Sequence, residues 1–254
     1  MSEEFVNSFA EFVNKIPSVK GGEILSLTFS IIHEKEKPGQ RNVLVANYKT
    51  PKAQIEIFVQ SPKEIALEGV DEKKLRSMDI GGKKFYTNYN PNLDDFIVIK
   101  GDFYTTVNDE VLTVLSPDKN ILKSVESDKP AKFQKDLLSY AKKFVKDIDG
   151  FDLCMINWNK EDIRVVSRMI FFNVENQTEI IVDVFKGDKE ATEILWEDIK
   201  GKKKLDGTLY MGKRDKEHVV CSTLDDNRVL VAKCTKGKDE FLPKVTRKVV
   251  KAIR

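Results

Sequence analysis

Phe12-Val13-Asn14-Lys15-Ile16 returns later in the chain as Phe144-Val145-Lys146-Asp147-Ile148, and Asp79-Ile80-Gly81-Gly82-Lys83-Lys84 returns as Asp198-Ile199-Lys200-Gly201-Lys202-Lys203. The two pairs occur in the same order, 132 and 119 positions apart. That order predicts one α+β domain written twice, as residues 1–127 and 128–254. Each copy is long enough to bury a core of its own.

Around the first landmark, Phe5, Phe9, Phe12, Val13 and Ile16 recur at the helical period and Pro17 closes the run, which predicts a helix over Glu3 to Ile16. After Gly21-Gly22 the pattern turns β-rich, at Ile24 to His33, Asn42 to Lys49 and Gln54 to Gln60. In the last of these Ile55, Ile57 and Val59 alternate with Glu56 and Phe58, the period of two of a half-buried strand. Glu64 to Met78 reads either as a short strand or as a helix around Glu72 to Met78. A second β group is expected at Lys84 to Tyr89, Asp95 to Lys100 and Phe103 to Val107. Asp109 can cap a helix starting near Glu110, resuming over Ile121 to Val125 after Pro117. Ser127-Asp128-Lys129-Pro130, short and polar, reads as the linker.

The second copy repeats this grammar. A helix is expected over Lys132 to Ile148, then strands at Phe151 to Trp158, Arg164 to Val174 and Glu179 to Phe185, and a helix at Glu190 to Asp198. Strands at Thr208 to Gly212, Glu217 to Thr223 and Arg228 to Thr235 precede a closing amphipathic helix over Asp239 to Ile253. Turns too short for crossover helices predict antiparallel sheets with flanking helices laid on one face.

Composition bounds the function. With 41% apolar and 33% charged residues the chain is globular rather than disordered. The net charge of +2 is unevenly divided: residues 1–127 hold 16 Lys+Arg against 19 Asp+Glu, leaving 27 against 22 in the remainder. The acidic start Met1-Ser2-Glu3-Glu4 and the absence of a long apolar run speak against a signal peptide and a membrane-spanning helix, so a cytoplasmic protein is expected. Cys154, Cys221 and Cys234 lack metal-ligand or redox spacing and read as ordinary thiols. If Leu224 to Asn227 turns a hairpin, Cys221 and Cys234 fall on one sheet face, diagonally about 7 to 8 Å apart, a poor disulfide geometry.

No chemical motif accompanies the duplication. His33 and His218 stand alone, without a cysteine or a second histidine at ligand spacing. Gly21-Gly22 and Gly81-Gly82 precede strands instead of helices, so neither is a phosphate cradle. Asp94-Asp95 and Asp225-Asp226 sit in turn sequences, where aspartate satisfies its own backbone. The one cluster with a chemical bias is basic: Lys200, Lys202, Lys203 and Lys204, joined by Lys244, Arg247, Lys248 and Lys251 of the closing helix, a candidate anion-binding set. Asp198, Asp206, Asp239 and Glu240 interrupt it, and no aromatic residues interleave for base stacking. The sequence therefore predicts a non-enzymatic binding or assembly module for a protein partner, with no cofactor. Nucleic-acid or anionic-surface binding by the basic half, and carriage of a small apolar ligand, are its alternatives.

Overall fold

The computed structural model describes residues 2–14, 16–33, 40–61, 76–80, 83–87, 98–99, 111–115, 123–131, 148, 150–160 and 165–254. The chain divides into two compact units, Asn7–Phe133 and Gln134–Arg254, the latter together with Met1–Val6. Helix α1 (Ser2–Val13) is the predicted opening helix, with Phe5, Phe9, Phe12 and Val13 buried along one stripe. It ends well before Pro17, which supplies no N–H for a further turn.

In the first unit the strands are β1 (Pro17–Val19), β2 (Glu23–His33), β3 (Gln40–Lys49), β4 (Gln54–Ser61), β5 (Arg76–Ile80), β6 (Lys83–Thr87), β7 (Val98–Ile99), β8 (Val111–Leu115) and β9 (Val125–Pro130). β2 to β8 lie in the order β2-β3-β4-β8-β7-β6-β5, each neighbour antiparallel, and β1 pairs with β9 apart from them. The alternation in β4 is borne out: Ile57 stands opposite Ala46 and Val59 opposite Leu44, and Leu44 pairs in turn with Phe29. All five are buried. Phe9 and Phe12 of α1 cover this face, their rings 5.4 and 5.6 Å from that of Phe29. Tyr48, buried at the end of the same face, donates its hydroxyl to the Pro17 carbonyl at 2.7 Å, which supplies the partner a buried phenol needs.

The second unit holds β10 (Asp152–Asn159), β11 (Val165–Asn173), β12 (Thr178–Lys186), α2 (Lys189–Asp198), β13 (Lys200–Asp206), β14 (Leu209–Arg214), β15 (Glu217–Asp225), β16 (Arg228–Lys236) and α3 (Leu242–Ile253). Its sheet runs β13-β14-β15-β16-β12-β11-β10, again antiparallel throughout. Ranked by chain order within each unit, both sheets read first, second, third, seventh, sixth, fifth, fourth.

β15 and β16 are buried on both faces. Val219, Cys221, Val229 and Val231 form one core with Ile199, packed by Leu195 and Trp196 of α2. Val220, Leu230 and Ala232 alternate with them and are equally buried, beneath α3, whose Leu242, Val245, Val249 and Ile253 face inward. The two helices thus lie on opposite faces of this sheet, which corrects the expectation of helices on one face. A sheet whose central strands carry apolar residues on both faces needs cover on both sides.

Other expectations are also corrected. The helix expected from Glu110 is strand β8, paired with β4; Val111, Leu112, Thr113 and Val114 are residues that fit a pleated surface better than a helix. Met78, read as helical, lies in β5, and Val125 and the supposed linker Ser127–Pro130 form β9. The closing helix opens as a 3-10 turn at Asp239–Phe241 and becomes α-helical only at Leu242, where Pro243 occupies the first turn. The expected helix before Ile148 and the expected strand at Phe103 to Val107 fall outside the described residues. No helix among the described residues is long and apolar enough to cross a membrane.

Candidate functional site

The basic run lies at the junction of α2 and β13, and α2 is fastened there at both ends. At its start Asp188 accepts the Ala191 N–H at 2.8 Å, satisfying a donor that the helix cannot. At its end Lys202 donates to the carbonyls of Trp196 (2.6 Å) and Ile199 (2.7 Å), with its ammonium 5.3 Å above the Trp196 ring. Lys200 donates to the Glu197 carbonyl at 2.8 Å. Cations bound to the last carbonyls of a helix offset both its unpaired acceptors and its dipole. Trp196 stands edge-on to Tyr210 of β14 at 5.2 Å, closing the core beneath α2.

Lys203 and Lys204 are placed differently. Lys204 stands opposite Tyr210 and so shares the sheet face of α2, whereas Lys203 stands opposite Met211 on the face of α3. Both are exposed. Lys244, Arg247, Lys248 and Lys251 line the exposed side of α3, and Arg247 is bound to Asp206 at the end of β13 at 3.1 Å. The structure thus commits Lys200 and Lys202 to α2, Arg247 to Asp206, and divides the remaining lysines between two faces of the sheet.

A feature the basic run conceals is the groove along one flank of α2, about 630 Å³ and open on one side, lined by Phe185, Ala191, Ile194, Leu195 and the ion pair Arg214–Asp198. The Arg214 guanidinium lies 3.2 Å from the Asp198 carboxylate and 5.5 Å over the Phe185 ring, which fixes one wall. Ile194 is 62% exposed at its lip. Lys186, Lys200 and Glu197 complete the rim. The other flank of α2 borders a smaller hollow of about 330 Å³ between Trp196 and the Asp225-Asp226 turn. There, burial raises the Asp225 carboxyl, but hydrogen bonds from Arg228 (2.6 Å) and the Asn227 N–H (2.9 Å) outweigh it and hold the group below the usual carboxylate range. For Asp225 this is turn chemistry, as the sequence predicted.

Reactive groups do not converge here. His218 lies 3.4 Å from Asp239 on the surface, and among the described residues no three His, Cys, Asp or Glu side chains are grouped to hold a metal ion. Burial pushes the thiols of Cys154 and Cys221 up to about 11, which keeps them protonated near neutrality and leaves them poor nucleophiles. Cys154, Cys221 and Cys234 are all free thiols.

Sequence reading missed both the groove and the strand that carries the lysines. Ile194 was legible as a helical residue but not as an uncovered one, because exposure depends on which strands end nearby. Strand β13 did leave a signal: Gly207-Thr208 forms the two-residue turn into β14, between the paired Asp206 and Leu209, with Gly207 at φ +50°. The sequence matches no family model and no curated protein.

Proposed function

We propose that this chain is a binding module, built from a duplicated α+β domain, that takes an apolar side chain of a partner protein into the groove beside α2. The observation that carries the reading is Ile194, a large apolar side chain 62% exposed at the lip of a concavity walled by Phe185 and Leu195. A scattered apolar residue on a convex surface asks for no explanation, but one at the mouth of an apolar recess marks a contact site. The rim carries Lys186, Lys200 and Arg214 against Glu197 and Asp198, so an anchor flanked by a carboxylate fits it better than one flanked by a cation. The open side of the groove suits a side chain entering from a protein surface more than a small molecule enclosed on all sides. Nucleic-acid binding has weaker support, because phosphate contacts need cations gathered on one surface, whereas Lys200 and Lys202 are held by carbonyls of α2 and its end, Arg247 is held by Asp206, and Lys204 lies on the opposite face from Lys203.

Selection of displayed peptides against the wild-type protein, with Ile194→Asp as the counter-target, tests this reading. Enriched peptides should share a bulky apolar residue beside Asp or Glu and lose at least about 10-fold in affinity to the variant. Since Ile194 is exposed, the variant should keep its fold. Enrichment of no such motif, or equal binding to both proteins, removes the proposal.

A further inference from the structure

β13 has a second feature, independent of the groove. Among the described residues it has a neighbouring strand, β14, on one side only, so its outer row of backbone N–H and C=O groups has no ladder. Every residue from Lys200 to Asp206 is exposed except Lys202. Lys203 and Lys204, at successive positions, present a cation on each face of this edge.

Two such edges cannot add to one another. Antiparallel pairing of two copies of β13 would set lysines against lysines at the centre of the ladder, and like charges directly opposite destabilise a sheet. Lysine is the common device by which an exposed edge avoids pairing with its own kind. The same charges discriminate in favour of a strand of opposite sign, because repulsion of one class and attraction of another are the two halves of specificity.

We propose that β13 is a docking edge for an extended acidic segment of another protein, which adds to the sheet as an eighth strand beyond β13 of the second unit. Acidic residues at two successive positions of the segment would face Lys203 on one side of the sheet and Lys204 on the other. Backbone hydrogen bonds supply the register-independent attraction and the lysines choose the partner. The Asp206–Arg247 pair at the end of the strand neutralises the one carboxylate within β13.

The probe is a synthetic peptide of about ten residues, the usual reach of a strand, with a central Asp-Glu pair between alternating Thr and Val. Fluorescence anisotropy at low salt should show binding that weakens as salt rises. Hydrogen exchange should show the β13 amides becoming protected. The double variant Lys203→Glu, Lys204→Glu should weaken binding by about 10-fold or more, while Lys248→Glu with Lys251→Glu, the same charge change on α3, should leave it unchanged. Ile194→Asp should also leave it unchanged, which separates this edge from the groove. The proposal is overturned by absence of binding at low salt, by equal binding of a peptide N-methylated at alternate amides, or by equal loss from the α3 charges. Displacement of the peptide by a single-stranded oligonucleotide of equal charge, with no protection at β13, overturns it as well.

Discussion

Lys202 shows how one residue's role turns on geometry that its neighbours in sequence do not share. Four lysines within five positions look equivalent in the chain, yet Lys202 bends inward over Trp196 and holds two carbonyls while Lys203 and Lys204 remain in solvent. Its ammonium closes the C-terminal turn of α2, so replacing it with an apolar residue of similar length removes two charge-assisted hydrogen bonds and a ring contact. Because the side chain is only partly buried, water recovers some of the loss, and Lys202→Met should cost about 1–2 kcal/mol. Lys203→Met should stay within about 0.5 kcal/mol. Urea denaturation of both variants checks the pair, and equal midpoints would show that Lys202 is as solvated as its neighbour.

Strands and helices were legible in proportion to how strictly their apolar residues kept a period. β4 and α3 could be read directly from alternation and from the helical stripe, because a single face of each is buried. β13 could not, since it is exposed on both sides and is built from lysines, whose strand propensity is low. The Cys221–Cys234 geometry failed by one residue. A bulge between Thr223 and Asp225 sets Cys221 opposite Val231, so Cys234, three positions further on, lies on the other face of the sheet. With a period of two, one inserted residue inverts every later side chain. The same strand end gives a test of an element boundary. Gly237 follows β16 with φ +94°, and a Cβ there would meet the Thr178 Cα at 2.7 Å and its Cβ at 2.8 Å. Both the backbone angle and the approach of β12 exclude a side chain, so Gly237→Ala should cost at least about 2 kcal/mol. A variant with an unchanged denaturation midpoint would mean that this turn relaxes without disturbing β12.

For the whole molecule, the duplication we propose is supported by connectivity more than by the repeated residues that first suggested it. Asp79 and Ile80 end β5 and Lys83 and Lys84 begin β6, whereas Asp198–Lys203 spans the junction of α2 and β13, so the second landmark pair occupies places that do not correspond. Short segments rich in Gly, Asp and Lys recur by composition alone. The strand order is a more demanding match, because among the described residues, β1 and β9 aside, each unit lays down three strands as a meander and four more as another, and in each the last of these comes back beside the third. If each unit is a domain with its own core, a cavity in one should loosen that unit first. Leu230 in β16 and Leu44 in β3 are both fully buried, one in each unit, and truncation of either to alanine should cost about 2–5 kcal/mol. In native-state hydrogen exchange, Leu230→Ala should speed the slowest amides of β12, β15 and β16 and leave those of β3 and β4 unchanged, with the reverse pattern for Leu44→Ala. Equal acceleration in both units by either variant would instead mark a single cooperative core, and the shared strand order would then describe one domain with internal symmetry.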